Sequence, residues 1–309
     1  MSEAKKLTTS YTTFEPSRLD FTVPEENDRS KHQLIGYPRF NHPTLGENQA
    51  LMLQFPWIHI NTFGIPREGE YYKTDADRAF IKTPFQYDHE EFGEQVKILG
   101  DKIKELDKIW GSDKKKKELF GKKWKKYKFT ANLRESNFDE DDEDAVRRPD
   151  YMKLKFDTSW PDHEILTKVY TSVLGEDGKR KREPVEVSTV NDVANVVSYQ
   201  SKIRPIVRPV KIWAQLPNRS DPLYGIVWKI VKIEVEPSDN SGGSLYKSYY
   251  NNDAFLDSDD DDDEAEVTNN NNVMNEDVDD SSDSSDDSSD EEEIKVKAKS
   301  KKKGKKKNL

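Results

Sequence analysis

The residues best suited to chemistry in this sequence lie between positions 114 and 134, which read KKKKELFGKKWKKYKFTANLR. Nine lysines and Arg134 share this segment with a single acid, Glu118, so the segment is strongly basic. Lysine ammonium groups attract phosphates, and aromatic rings stack on unpaired bases. The segment therefore predicts a groove that holds single-stranded nucleic acid with little regard to its base sequence.

The predicted contacts fall into two chemical classes. The phosphate contacts are Lys122, Lys123, Lys125, Lys126, Arg204 and Arg208, and the stacking residues are Trp124, Tyr127 and Phe129. A second interpretation stays open, because Phe120, Trp124 and Tyr127 are spaced by four and three residues and also fit the inner face of a helix. In that interpretation the rings belong to the core and the lysines are simply solvated.

The elements that must position these residues are mostly strands. Residues 51–65 predict a strand, a break at Pro56 and a second short strand. In 152–156, apolar residues alternate with lysines, which predicts a half-buried strand with a basic outer face. Segments 165–174 and 184–190 predict a hairpin around a long basic loop.

Two helices are expected among the strands. In residues 90–110, apolar side chains recur at steps of three and four, which predicts an amphipathic helix that ends at Gly111. Residues 191–202 predict a short helix with valines on one side.

The best strand pair covers residues 206–236, with the turn PNRSDP between its strands. In the second strand Trp228 and Ile230 alternate with Lys229, and the apolar phase then shifts to Val231, Ile233 and Val235. Such a shift predicts a bulge or a sharp bend. Many short strands with a bend of this kind predict a mainly β fold built around a small closed barrel.

Charge divides the chain into a body and a tail. The formal net charge is −10, but residues 238–309 hold 10 lysines against 21 acids, which leaves 40 basic and 39 acidic residues in 1–237. The acidic balance therefore describes the tail and does not argue against nucleic-acid binding by the body. We expect a flexible N-terminal arm over 1–30, a folded domain over 31–237 and a disordered tail over 238–309.

The acidic tail has three interpretations. It is a solubilising tail, an electrostatic competitor that also docks partners, or a polyanion of the kind found in histone chaperones. The chain ends in KVKAKSKKKGKKKNL, which fits nuclear import or contact with a polyanion. Both interpretations of the terminal lysines fit an intracellular location, either a host nucleus or a cytoplasmic viral factory.

Signals for an enzyme are poor. The chain lacks a phosphate-binding GxxxxGK[ST] loop, HExxH and GxSxG, it has no cysteine, and its five histidines show no chelating spacing. We therefore expect no catalysis, no metal and no cofactor. No apolar stretch approaches 18 residues, so we expect no membrane span.

One part of the chain resembles a known family. Lys211, Ile212 and Trp213, a turn, and then Tyr224, Gly225, Trp228 and Lys229 resemble a pattern in single-stranded DNA-binding proteins of nucleocytoplasmic large DNA viruses. That family is similar to the phage-type proteins that join an OB-fold to an acidic C-terminal tail. The match covers roughly residues 185–237.

The resemblance implies an OB-like β-barrel with helical insertions. It also implies single-strand binding during replication, recombination or repair, recruitment of replication proteins by the tail, and homodimers. The terminal lysines depart from the family, whose tails are acidic to the end. Two rival functions remain at this stage: a histone- or chromatin-interacting protein, and a structural protein of a virion or viral factory.

Overall fold

The structure is a computed structural model that describes residues 6–27, 30–136, 148–175 and 178–238. The fold is mainly β. In chain order the strands are β1 (Thr8–Ser10), β2 (Leu19–Phe21), β3 (Glu25–Asn27), β4 (Ser30–Gly36), β5 (Pro38–His42), β6 (Gly46–Gln49), β7 (Met52–Gln54), β8 (Ile58–His59), β9 (Phe80–Phe85), β10 (Lys128–Phe129), β11 (Leu133–Arg134), β12 (Asp150–Phe156), β13 (Lys168–Leu174), β14 (Arg180–Val185), β15 (Lys202–Gln215) and β16 (Leu223–Glu236).

Short helical elements interrupt the strands. The α-helices are α1 (Asp75–Arg78), α2 (Gly93–Trp110), α3 (Asp113–Phe120) and α4 (Val190–Val196), and two 3-10 helices cover Pro16–Arg18 and Gly121–Lys126. The predicted helices at 90–110 and 191–202 are thus confirmed as α2 and α4, with slightly different bounds. The strand, break and strand predicted for 51–65 are confirmed as β7 and β8.

The centre of the fold is the hairpin of β15 and β16, whose strands have 14 residues each and pair antiparallel. On its side away from β16, β15 pairs in turn with β8, β7 and β4. On its side away from β15, β16 pairs with β10, β12 and β13. These strands belong to a 13-stranded sheet, and β2, β5 and β6 form a separate sheet of three. The sheet pairings close no barrel among the described residues, so the predicted small closed barrel is not found.

The predicted phase shift in β16 is confirmed as a bulge. Ile206 pairs with Lys232 and Val207 with Ile230, which leaves Val231 as an extra residue on β16. Trp228 and Ile230 are buried before the bulge, and Ile233 is buried after it. The bulge thus keeps one face of the hairpin apolar along its whole length.

Helix α2 packs on that buried face. Its apolar stripe is fully buried and ends at Trp110, whose carbonyl accepts a hydrogen bond of 2.6 Å from the Tyr224 hydroxyl on β16. Gly100 on α2 lies against the Tyr87 ring, where a Cβ would come within 2.8 Å of the Tyr87 oxygen. This glycine, which weakens helix propensity, permits close packing at that point.

Asp107 on α2 connects the helix to the end of the basic segment 114–134, which we call the basic run. Its carboxylate accepts hydrogen bonds of 3.0 Å and 3.2 Å from the backbone amides of Asn132 and Leu133. Burial raises the pKa of Asp107, and these hydrogen bonds only partly offset that rise. Asn132 in turn accepts a hydrogen bond of 2.8 Å from the Trp228 indole. The basic run is therefore anchored to α2 and to β16.

Two structural predictions are wrong, one for the N-terminal arm and one for the basic loop. Residues 6–27 are not a free arm, because β1 pairs with β7, and Phe14, Leu19 and Phe21 lie in the core. The basic residues expected in the loop between 174 and 184 mostly lie in strand β14 instead, which pairs with β13 and is largely exposed. An edge strand rich in cations resists pairing with other chains.

Candidate nucleic-acid interface

Helix α3 and the 3-10 helix after it present the basic run. Ser112 caps α3 by accepting a hydrogen bond of 3.2 Å from the Lys115 amide. The helix ends at Gly121, whose φ of +52° lies in a region that favours glycine. The chain then turns through Gly121–Lys126 and enters β10, which pairs with the start of β16. This turn displays consecutive lysines on a short, fixed segment.

Six lysines in this region have no acidic partner within 4 Å among the described residues, and all six are exposed. We call this set the lysine cluster: it consists of Lys114, Lys117, Lys122, Lys123, Lys125 and Lys126. Unpaired exposed cations at this density create a positive potential that attracts polyanions. Lys114 and Lys117 were absent from the predicted contacts, although they belong to the same basic run.

Three neighbouring lysines differ because acids neutralise them. Lys115 contacts Asp20 and Glu118 at 2.9 Å and 3.0 Å. Burial would lower the pKa of Lys115, but its hydrogen bonds to the two carboxylates raise it. Lys116 pairs with Asp113 at 2.9 Å, and Lys128 pairs with Asp221 at 3.0 Å.

Trp124 lies in the middle of the lysine cluster and is half-buried. The Nζ atoms of Lys117, Lys116 and Lys125 lie 4.8, 5.5 and 5.9 Å from the centre of its ring. The accessible part of the ring is thus surrounded by cations. A base stacked there would place its phosphates beside ammonium groups, which is the arrangement expected of a single-strand contact.

Tyr127 is a core residue, which contradicts its predicted role as a stacking platform. It is 3% exposed, and its ring stacks on Phe120 with 3.7 Å between centroids. Its hydroxyl donates a hydrogen bond of 3.1 Å to the Gln215 carbonyl, and burial raises the pKa of the hydroxyl. For this ring the core interpretation is correct, but the predicted shared helix face is not found, because α3 ends at Phe120 and Tyr127 follows the 3-10 helix. Phe129 is half-buried against Tyr224, with 5.1 Å between centroids.

The structure places Arg204 and Arg208 away from the lysine cluster. Lys128 is opposite Leu223 on β16, whereas Arg208 is opposite Lys229 and Arg204 is opposite Glu234. At ~3.3 Å per residue, Arg208 lies about 20 Å and Arg204 about 35 Å along the strand from Leu223. The predicted contacts therefore do not form one compact site.

Arg204 belongs to a set of paired charges that we call the arginine network, which consists of Arg180, Arg182, Arg204, Glu234 and Glu236. The Arg204 Nε donates a hydrogen bond of 3.1 Å to Glu234, and the Arg182 Nε lies 2.8 Å from the other carboxylate oxygen. Arg180 pairs with Glu236. The guanidinium carbons of Arg180 and Arg204 also lie 4.4 Å and 4.8 Å from the centre of the Trp57 ring.

No cluster of three or more histidine, aspartate or glutamate residues among the described residues is arranged to hold a metal ion. In the same part of the chain, no helix has the length and apolar character needed to cross a membrane. The acidic and basic tail lies outside the described residues, so the predictions made for it stay predictions.

The chain is similar to a viral protein. No protein-family model matches the chain. The chain is similar to an uncharacterized protein of Acanthamoeba polyphaga mimivirus, R505, with 28% identity over 271 residues. The alignment covers 78% of this chain and 64% of the relative, so the chain spans less than two thirds of that protein's length.

Proposed function

We propose that the protein binds single-stranded DNA with little sequence preference through the lysine cluster and Trp124. One observation carries the proposal: six exposed lysines without acidic partners among the described residues share a short segment with the half-buried Trp124, and two of them, Lys117 and Lys125, lie 4.8 and 5.9 Å from the centre of its ring. Lysines track the phosphate backbone of any sequence, and an aromatic ring stacks on any base. Neither contact selects particular bases.

We also propose that the sheet is an elaborated OB-like fold. Two long central strands and the bulge at Val231 support this, because bulges bend strands and allow one strand to serve two parts of a curved sheet. Strands that are short relative to β15 and β16 flank the hairpin on both edges.

The biological setting that we propose is DNA replication, recombination or repair of a large DNA virus. The mimivirus relative supports a viral setting, and the predicted acidic tail would compete with DNA for the lysine cluster and dock replication proteins. The rival functions, histone interaction and a structural role in a virion or viral factory, make different predictions about ligands.

A titration of the full-length protein decides between these functions. A labelled single strand and a labelled duplex of the same length are titrated at two salt concentrations, with fluorescence anisotropy as the signal. We expect tighter binding of the single strand than of the duplex. We also expect weaker binding at higher salt, because lysines that bind phosphates release counterions from the DNA. Binding of core histones without binding of either DNA would support the chromatin rival. No binding of DNA or histones would leave the structural role.

A further inference from the structure

A row of three cations crosses the central sheet about 20 Å along β16 from Leu223, which marks the end next to the lysine cluster. Lys155 on β12 is paired in register with Lys229 on β16, and Lys229 is paired with Arg208 on β15. Residues in register on adjacent strands point to the same face of a sheet. We call these three residues the cation row.

The alternation of burial shows which face carries the cation row. Both sequence neighbours of each cation are buried, whereas Lys155, Lys229 and Arg208 themselves are partly exposed. The row thus lies on the face of the hairpin opposite the core and α2. Lys128 lies on this same face. Its partner Leu223 is six residues before Lys229 on β16, and the bulge at Val231 comes after both, so the alternation of side chains along the strand puts Leu223 and Lys229 on one face.

Like charges directly opposite each other on neighbouring strands destabilise a sheet unless something neutralises them. Asp157 partly does so, since it contacts Arg208 at 3.0 Å and Lys229 at 3.2 Å. One carboxylate between these two cations leaves a net positive charge. The Nε of Arg208 is also buried and has no hydrogen-bond partner among the described residues. That atom is out of reach of a ligand, but the Arg208 side chain as a whole is 39% exposed, and with Lys229 it offers two cationic donors that share one carboxylate, a combination suited to an anionic ligand.

An exposed tryptophan, Trp160, follows Asp157 by three residues, and Asp157 contacts two members of the cation row. From Asp157 the chain forms a loop closed by a bridge between Thr158 and Ile165 and by a hydrogen bond of 2.9 Å from the Ser159 amide to the Glu164 carbonyl. Trp160 lies near the tip of this loop and is 68% exposed. A large ring held in water on a closed loop loses little conformational entropy when it binds a partner.

We propose that the cation row and Trp160 form a second contact for the single strand, with a phosphate on Arg208 and Lys229 and a base on the Trp160 ring. This inference rests on the proposed function and extends it. The strand leaves the lysine cluster and runs along the outer face of the hairpin to the cation row. The cations and a largely exposed ring, which contacts the His163 ring edge to face at 5.6 Å between centroids, favour nucleic acid over an apolar protein partner at this position.

The test uses full-length variants and a labelled oligodeoxythymidine of roughly 20 to 30 nucleotides, long enough to reach both contacts. Trp160→Ala should weaken binding roughly 5- to 150-fold, the effect of losing one stacked base. Trp160→Phe should retain most of the affinity. The matched control is Tyr199→Ala, because Tyr199 is 66% exposed but lies three residues before β15 begins, whereas Arg208 lies six residues inside that strand.

A charge variant tests the cation row separately. Lys229→Gln should reduce the slope of log affinity against log salt by about 0.7, the value for one phosphate contact to a single strand. Lys97→Gln, on the exposed side of α2, changes the net charge equally and should leave the slope unchanged. Far-UV circular dichroism and melting temperatures establish that all variants fold.

The outcomes separate this inference from the proposed function. If Trp160→Ala and Lys229→Gln bind like the wild type while variants of the lysine cluster lose affinity, the second contact is wrong and the proposed function stands. If the variants of the cation row and Trp160 lose affinity while those of the lysine cluster do not, the DNA lies on the cation row alone. If the wild type binds no single strand, both proposals fail.

Discussion

The lysine cluster and the arginine network are both rich in cations but have opposite electrostatic surroundings. In the lysine cluster, six exposed cations lack acidic partners among the described residues. In the arginine network, at the far end of the same hairpin, Arg204, Arg182 and Arg180 are held by Glu234 and Glu236. In the proposed function the first region offers its charge to a ligand, whereas the second uses its charge within the protein.

The comparison shows that the number of cations does not identify an anion-binding surface. Arg204 donates to Glu234 through both its Nε and a terminal nitrogen, so it must lose this partner before it binds phosphate, which offsets much of the gain. Arg208 differs, because a single terminal nitrogen bonds Asp157 and its side chain is 39% exposed, against 22% for Arg204. A solvated lysine has only water and counterions to lose, and their release favours binding. Arg204 was a predicted phosphate contact on the basis of residue type alone, and its pairing with Glu234 argues against that role.

The largest expected effect comes from removing charge in the lysine cluster. A full-length variant with Lys122, Lys123, Lys125 and Lys126 changed to Gln should lower the salt slope of single-strand binding by about 3 and weaken binding on the order of 100-fold. Anisotropy titrations at several salt concentrations measure both quantities. The control changes four other exposed lysines, Lys73, Lys97, Lys104 and Lys181, to Gln. An equal loss in the control would show that only net charge matters.

Trp124→Ala should have the next largest effect. Loss of one stacked base weakens binding by ~1–3 kcal/mol, which is roughly 5- to 150-fold in affinity. Trp124→Phe keeps an aromatic face and should stay close to the wild type. Equal affinity for all three proteins, with unchanged melting temperatures, would leave Trp124 without a role in binding.

Arg204→Gln should leave affinity for the single strand within about twofold of the wild type, because Glu234 already neutralises the arginine. The same change should lower the free energy of unfolding by ~1–3 kcal/mol, since Glu234 is buried and loses its hydrogen-bonded partner. Urea unfolding measures the stability, and the anisotropy titration measures the affinity. A loss of binding as large as that of Trp124→Ala would abolish the distinction between the two regions.

The smallest expected effect is a pH dependence of stability at Glu234. Burial alone would raise the pKa of this carboxyl, but contacts with Arg204, Ser172 and Arg182 lower it below its usual value. Because the pKa is lower in the folded state than in the unfolded state, the stabilisation is complete above the unfolded pKa and is lost as pH falls through the folded pKa. Urea unfolding from pH 6 downward should show a smaller decline in stability for Glu234→Gln than for the wild type.

Local patterns in the sequence predicted much of the fold. The three- and four-residue steps of 90–110 gave α2, and the phase shift after Ile230 gave the bulge, because both are properties of consecutive residues. The fold of the N-terminal segment was missed. Residues 6–27 are polar on average, and their few apolar side chains find the core only through pairing with distant strands.

For the candidate site, the sequence by itself determined the chemistry of the basic run, because lysine density and aromatic content need no partner to be recognised. Only the tertiary structure decided which side chains remain available. Packing against Phe120 removes Tyr127, pairing with Glu234 occupies Arg204, and strand register aligns Lys155, Lys229 and Arg208. The physical reason is that availability depends on neighbours from distant parts of the chain, and register and packing choose those neighbours.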